Sequence, residues 1–180
     1  IIMGAMPIAR FGTDEQKTNI LPKVASGECI LTAALVSGSA VTVTDNKLSG
    51  SVDFVAYGLE SDLVLVPTDD GVYLVETSSK GVSLTGRETT SGYSQAAITF
   101  KSVPSERLGS ASTEEIITWI RLRTDSGICS ILSGACKASL DLAASYTKVR
   151  QQFDRPIATF QAVSQRAGDA YIDTEAVRLT

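Results

Sequence analysis

The amino-acid sequence predicts an α+β protein: a helical opening, then a long run of β-strands, then a pair of antiparallel helices. Three observations predict it. Apolar residues recur at helical spacing near the start, the period falls to two between about residues 29 and 108, and it returns to helical after Gly109. The seven strand-like runs "ILTAAL", "AVTVT", "KLSGSVDFVAY", "SDLVLVP", "GVYLVET", "VSLTG" and "QAAITFKSV" are rich in β-branched residues and separated by Gly, Asp, Asn and Ser. No helical pattern interrupts them, so an antiparallel sandwich or barrel is expected and parallel βαβ units are not.

Each element has a local reason. In residues 1–28, Thr13-Asp14-Glu15-Gln16 is a capping-box pattern that sets acids in a first helical turn, where the helix dipole favours them. Ile20 and Val24 then share a face, Pro22 limits regularity, and Gly27 provides a stop. "TDDGVY" signals a hairpin, because Asp-Gly favours the turn whose twist matches the strands. Ser112-Thr113-Glu114-Glu115 offers a second capping box, opening a long helix that runs to about Val149. Its Gly127, Gly134 and many Ala and Ser residues leave a narrow surface for close helix contact. "RQQFDRPIATFQ" (150–161) ends that helix, and a further helix is expected from about Pro156, since Pro is accepted in a first turn.

Composition narrows the function classes. The 180 residues are 43% hydrophobic with five prolines, as in folded globular proteins. A net charge of −4, with both signs dispersed, gives no electrostatic case for nucleic acid or a membrane surface. No apolar run is read as a membrane span, and no signal peptide is recognised. The chain has no histidine, which removes Ser-His and Cys-His hydrolysis, His-based proton transfer and most zinc sites within it. Cys29, Cys129 and Cys136 show no C-x-x-C spacing and read as small buried apolar residues in a reducing, cytoplasmic compartment. Cys129 and Cys136 fall seven apart, on one helical face. From its opening "IIMGAMPIARFG" and closing "EAVRLT", the chain is expected to be part of something longer.

The stretch 150–161 carries the sharpest signal. Arg150 and Arg155 at a helix C-terminus can simply favour the negative end of its dipole, with Phe153 and Phe160 packing the corner. An Arg fork beside amide side chains can equally hold a diphosphate. The chain carries no glycine-loop nucleotide motif.

"RQQFDRPIATFQ" resembles the R-x-Q-F-G-x-P-I-x-x-F-Q signature of the acyl-CoA dehydrogenase family. "RFGTDEQKTNILPKVASGE" is similar to that family's F-G-[ST]-x-E-Q-K segment, and "ITFKSVPSERLG" to its strand leaving the β-domain. The three motifs stand in family order. The resemblance implies the remnant of an N-terminal helical domain (1–28), a middle antiparallel β-barrel or sandwich domain (29–110), and an incomplete antiparallel C-terminal helical bundle (111–180). It implies FAD, an acyl-CoA substrate oxidised between Cα and Cβ in fatty-acid or steroid side-chain degradation, and a homo- or hetero-tetramer built as a dimer of dimers. Electron-transfer flavoprotein is the implied acceptor.

By position, the resemblance places Arg150, Gln152, Phe153 and Gln161 against the FAD of a neighbouring subunit, with Arg150 on the pyrophosphate. Ser37 falls where the family has a Thr hydroxyl, and Phe54 where it has a Trp wall in W-[IV]-[ST]-N. Ala56 takes the place of the residue that presents a hydroxyl to the flavin. Thr124 and Asp125 fall at the family's Glu and Arg positions, so Asp125 is the candidate base and Arg123 or Arg121 the candidate grip on substrate, with surface charge as their plain alternative. The family's other base position lies beyond residue 180. Asp154 replaces a Gly and suits a left-handed turn. Three functions follow: a complete dehydrogenase, a catalytically degenerate partner that completes a shared FAD site, or a non-enzymatic β-sandwich adaptor.

Overall fold

The computed structural model of the chain describes residues 1–35 and 40–179, which form two compact units, Ile1–Thr124 and Asp125–Thr180. In the first unit, helices α1 (Ala5–Phe11) and α2 (Asp14–Ser26) precede eight strands: β1 (Leu31–Ala33), β2 (Ala40–Thr44), β3 (Lys47–Ala56), β4 (Leu63–Pro67), β5 (Val72–Glu76), β6 (Val82–Arg87), β7 (Gln95–Pro104) and β8 (Glu106–Arg107). Helix α3 (Thr113–Val149) begins in this unit and continues into the second. All seven strand-like runs of the sequence are strands.

Two four-stranded sheets result, ordered β1-β4-β5-β8 and β2-β3-β7-β6. Between them lies a core to which the first sheet gives Val64, Val66, Tyr73 and Val75 and the second Val41, Leu48, Val52, Val55, Ala96, Ile98 and Phe100. The other face of the first sheet is also buried. Ala33, Leu65, Val72 and Leu74 pack there against Ile8 of α1 and Ile116 and Ile120 of α3. Burial on both faces explains why "LVLV" and "VYLV" are continuous apolar runs. β7 alternates instead, because its second face carries no such layer within this unit.

One pairing departs from the antiparallel expectation. β1 lies parallel to β4, with Leu31 opposite Leu63, because the chain crosses to the second sheet and returns before β4. Parallel pairing needs only a crossover connection, and here two strands supply it rather than a helix.

Gln16 fixes α2 to this frame. It is 2% exposed. Its Oε1 accepts the Thr13 backbone N–H at 3.0 Å, while Thr13 Oγ1 accepts the Gln16 N–H at 3.2 Å, completing the capping box. Its Nε2 donates to Glu106 Oε1 at 2.7 Å and to the Arg107 carbonyl at 2.8 Å. The cap is therefore also a link to β8. At the other end of α2, Gly27 adopts φ +81, the left-handed stop. Gly109 has φ +53, and a Cβ there would stand 2.0 Å from the Phe11 carbonyl oxygen, so only glycine lets the chain pass α1 into α3.

The hairpin after β4 uses the four residues 68–71 rather than a two-residue turn, closed by the Thr68 N–H donating to the Gly71 carbonyl at 2.8 Å. Asp70 organises it, accepting from the Thr68 hydroxyl at 2.7 Å and the Tyr73 hydroxyl at 3.0 Å. The Thr68 hydroxyl first, and Tyr73 after it, hold the Asp70 carboxyl below its ordinary pKa.

The second unit comprises α3 from Asp125, a two-strand ribbon of β9 (Gln151–Gln152) and β10 (Arg155–Pro156), a 3-10 turn at Ile157–Thr159, and α4 (Gln161–Leu179). α4 starts at Gln161 rather than near Pro156. Pro156 is extended (φ −56, ψ 136) and paired with Gln151, so the chain must first leave the ribbon. Thr174 is the buried residue of α4, and its hydroxyl donates back to the Ala170 carbonyl. Lys137–Asp141 and Glu175–Arg178 are ion pairs along the two helices. Leu142, Tyr146, Val149, Ile172 and Leu179 are exposed. Cys29 is buried as expected, but Cys129 and Cys136 are exposed, because α3 buries no residue after Ile120. By length and composition α3 could cross a bilayer, with a window of mean hydropathy 1.2. Sequence reading missed this because the residues of that window are mostly Ala, Gly, Ser and Cys rather than large apolar side chains.

Replacing the buried Gln16 by Ala removes the capping box and both bonds to β8, so unfolding in urea should show a loss of about 1–3 kcal/mol; a midpoint equal to wild type contradicts this link. Asp70 has a depressed folded pKa, so its contribution is complete above the unfolded carboxylate pKa and is lost as pH falls through the folded one. Asp70→Asn should therefore flatten the acid limb of a stability–pH profile. An unchanged slope contradicts it.

Candidate functional site

Phe54 and Ala56, the positions that the resemblance sets against a flavin, fall at the outer face of the second sheet. Its geometry begins with register. Val52 pairs with Ile98 and Val55 with Ala96, so β3 holds one more residue than β7 across that interval, a bulge at Asp53–Phe54. Phe54 takes φ +52 there, with its N–H bonded to Asp53 Oδ1 at 3.0 Å. The bulge lets Val52 and Val55 both enter the core and turns Ala56 outward.

Ala56 lies opposite Gln95, and Gln95 opposite Arg87, so these three side chains form one row on the outer face. The Arg87 guanidinium forks onto Asp53, Nε to Oδ1 at 2.8 Å and Nη2 to Oδ2 at 3.3 Å. That pairing, through the hydrogen bond first, holds the Asp53 carboxyl below its ordinary value. Gln95 Oε1 is shielded from water and has no hydrogen-bond partner among the described residues. Further along, the rows read Ala97–Thr85 and Ser51–Thr99–Ser83, a floor of small side chains on which a planar group could lie.

An aromatic edge borders this row. Phe54 and Tyr57 are each about half exposed, and Tyr57 (φ +55) packs its ring 6.3 Å from that of Tyr93. The Tyr57 N–H donates to the Ser94 carbonyl at 2.9 Å and the Ser94 hydroxyl to Glu60, tying the 88–94 loop to the end of β3. Left-handed φ at two bulky residues is a strained arrangement of the kind that gathers at binding sites. Sequence reasoning singled out Phe54 but missed Arg87, Gln95, Tyr57 and Tyr93; strand pairing alone brings them together. Ser37 lies outside the described residues.

The remaining predicted residues are spread over other settings. Arg123 is half-buried with its guanidinium 3.6 Å from the Trp119 ring centroid, a cation–π contact, and donates weakly to the Trp119 carbonyl at 3.4 Å. Arg121 Nη2 donates to the Leu35 carbonyl at 3.1 Å. Thr124 Oγ1 is shielded without a partner. Asp125, in the second unit, is exposed.

The second unit gathers Arg150, Gln152, Phe153 and Gln161 at one corner. The β9–β10 ribbon pairs Gln152 with Arg155, and Phe153 (φ +53) and Asp154 (φ +60) form its two-residue turn. Both central residues are left-handed, the geometry of a tight hairpin. Phe153 is 87% exposed but meets Phe160 edge-on at 6.1 Å, and Arg155 stacks over Phe160 at 4.2 Å. The Arg150 carbonyl accepts the Ile157 N–H at 2.8 Å, closing the corner. The Arg150 side chain is exposed and forms no ion pair among the described residues, so its cation is available to a ligand.

A cleft of about 730 Å³ lies elsewhere in the first unit, beside α2 and the first sheet. Glu15, Glu28, Asp62, Glu76 and Glu106 line it against Lys23 alone, and none of the sequence-predicted residues does. Burial, then Asp62, pushes the Cys29 thiol up. Such a lining repels phosphates.

Two family models match the chain, described as the acyl-CoA dehydrogenase C-terminal domain over residues 117–180 and the N-terminal domain over residues 1–28. The chain belongs to the acyl-CoA dehydrogenase family. It is similar to acyl-CoA dehydrogenase FadE27 of Mycobacterium tuberculosis, 32% identical over all of this chain and 51% of that protein. Among solved structures it resembles the ChsE4–ChsE5 complex from Mycobacterium tuberculosis, at 30% identity and a TM-score of 0.88 over 99% of this chain and 52% of that one. It also resembles the Tcur3481–Tcur3483 steroid ACAD, at 32% identity and a TM-score of 0.81 over 97% and 51%. The chain thus spans about half the length of these acyl-CoA dehydrogenases.

Left-handed φ penalises a β-branched residue at position 154 by roughly 1–2 kcal/mol and spares glycine. Asp154→Gly should hold or raise the unfolding midpoint and Asp154→Val lower it; equal midpoints contradict the ribbon geometry.

Proposed function

We propose that the chain is part of an FAD-dependent acyl-CoA dehydrogenase that oxidises an acyl-CoA thioester between Cα and Cβ. When bound, FAD supplies the two-electron acceptor. The observation that carries the reading is the corner at 150–161, where an unpaired guanidinium stands with two amides and an exposed ring. A fork-shaped cation suits the pyrophosphate, and Gln152 and Gln161 add neutral donors beside it. Phe153, exposed at the tip of its ribbon, covers a flat ring. In this reading the corner serves FAD in a neighbouring subunit, within a tetramer arranged as a dimer of dimers. The outer face of the second sheet fits the isoalloxazine: Phe54 is a wall, the small side chains are a floor, and Gln95 is an orphaned polar group beside it.

A second reading, in which this chain is the partner that completes a shared FAD site while another polypeptide carries the base, is favoured by two observations. Ala56 has no hydroxyl to direct at the flavin. Asp125 is exposed, with nothing among the described residues that would hold it as a base. The chain's likeness to ChsE4–ChsE5, a complex of two named components, agrees with this. A bulky steroid side-chain thioester is the substrate class suggested by the steroid ACAD, with fatty acyl-CoA as the alternative. Electron-transfer flavoprotein as acceptor, a cytoplasmic location and the three-part division at about residues 28 and 110 complete the proposal.

The test is to purify the full-length protein alone and with its homologous partner, and to follow the flavin spectrum on adding acyl-CoA. Yellow colour and bleaching by the protein alone indicate a complete enzyme. Both appearing only in the mixture indicate the partner subunit, and no flavin in either overturns the proposal. Arg150→Ala loses a charge-assisted contact worth about 1.5–3 kcal/mol, so FAD should bind roughly 10–100-fold more weakly with an unchanged melting temperature. Full flavin retention with early melting makes Arg150 a structural corner instead.

A further inference from the structure

Resting on the FAD reading above, we infer that Gln95 supplies the flavin-directed hydrogen bond that Ala56 cannot make. Three observations converge on it. Gln95 is the register partner of Ala56, so both side chains leave the same outer face of the sheet from neighbouring strands. Its Oε1 is shielded from water and has no partner among the described residues, so its hydrogen-bonding capacity is unmet within this unit. Its other register neighbour, Arg87, does not satisfy it, because that guanidinium is committed to Asp53 through two hydrogen bonds.

The chemistry of the amide suits the task. A carboxamide carries a donor and an acceptor on adjacent atoms. The polar edge of an isoalloxazine likewise offers a carbonyl oxygen and a ring N–H side by side. A hydroxyl on residue 56 would reach that edge from β3; the longer Gln side chain reaches from β7, one strand over. The alanine then leaves room rather than a gap, because a larger residue at 56 would crowd the amide alongside it. The Arg87–Asp53 pair borders the row and prevents the guanidinium from capturing the amide oxygen itself. Gln95 is thus a cofactor-orienting and electronically tuning residue, and loss of the hydroxyl at 56 does not by itself mark an inactive subunit.

The test uses the FAD-loaded full-length protein, with its partner subunit if loading requires one. Gln95→Leu, Ala56→Thr and the double variant are compared by visible spectrum, FAD dissociation constant and midpoint potential. If the Gln95 amide hydrogen-bonds the flavin edge, Gln95→Leu should weaken binding of the reduced relative to the oxidised cofactor about tenfold, a fall of roughly 30 mV in a two-electron potential. Ala56→Thr should restore most of that loss in the Gln95→Leu background, where no amide is left for it to crowd, and give no gain in the wild type, a coupling a packing role would not produce. Should Gln95→Leu not fold, Gln95→Met carries the same comparison with a side chain of matching length. A spectrum and potential identical to wild type, or a loss of melting temperature alone without rescue by Ala56→Thr, overturns the inference. Failure of the wild-type protein to hold FAD in any assembly instead overturns the function on which it rests.

Discussion

The register of β3 against β7 is the constraint on which the candidate site depends. Along an undisturbed strand, side chains alternate faces, and a one-residue slip moves every side chain to the other side. The bulge at Asp53–Phe54 makes such a slip between Val52 and Val55, and a second shift of β3 against β7 lies between Leu48 and Gly50. It returns Val55 to the core beside Val52, throws Phe54 into a left-handed conformation at the surface, and sets Ala56 in a row with Gln95 and Arg87. Bulges are recurrent where a sheet must re-aim a side chain. Here the core on one side and the Asp53–Arg87 fork on the other hold the slip in place.

A second asymmetry follows from layering. The first sheet is buried on both faces, by the second sheet and by α1, α2 and the start of α3. The second sheet is buried on one face, and its other face carries small and polar residues. The helical unit has the opposite character: after Ile116 and Ile120, α3 places no further residue in a core, and large apolar side chains stand exposed along both helices. The chain spans about half the length of FadE27.

Much of this was legible in the sequence, and the exceptions have physical causes. Period two located β1 to β7, though not the two-residue strands β8, β9 and β10, and the Thr13 box and Gly27 located both ends of α2, because those signals are local. The parallel pairing of β1 with β4 was not legible, since it depends on which strands the chain visits in between. The second role of Gln16, its bonds to Glu106 and Arg107, joins residues about ninety positions apart and leaves no local trace. Pro156 suggested a helix start because Pro fits a first turn, yet an extended Pro fits a ribbon equally well. At the site, motif resemblance reached Arg150, Gln152, Phe153, Gln161 and Phe54. It missed Gln95 and Arg87, which belong to the row only through cross-strand register. A signal was available in "DLVLV" and "GVYLV", whose unbroken apolar character already distinguishes the doubly covered sheet from the one with a free face.

The central claim is that the guanidinium of residue 150 grips a cofactor diphosphate across a boundary between subunits. A high-resolution structure of the FAD-loaded, full-length assembly tests it most directly. The account predicts both guanidinium donors within about 2.7–3.2 Å of pyrophosphate oxygens on a cofactor seated in a neighbouring subunit. A bound flavin with that corner facing bulk water, far from any other subunit, would contradict it.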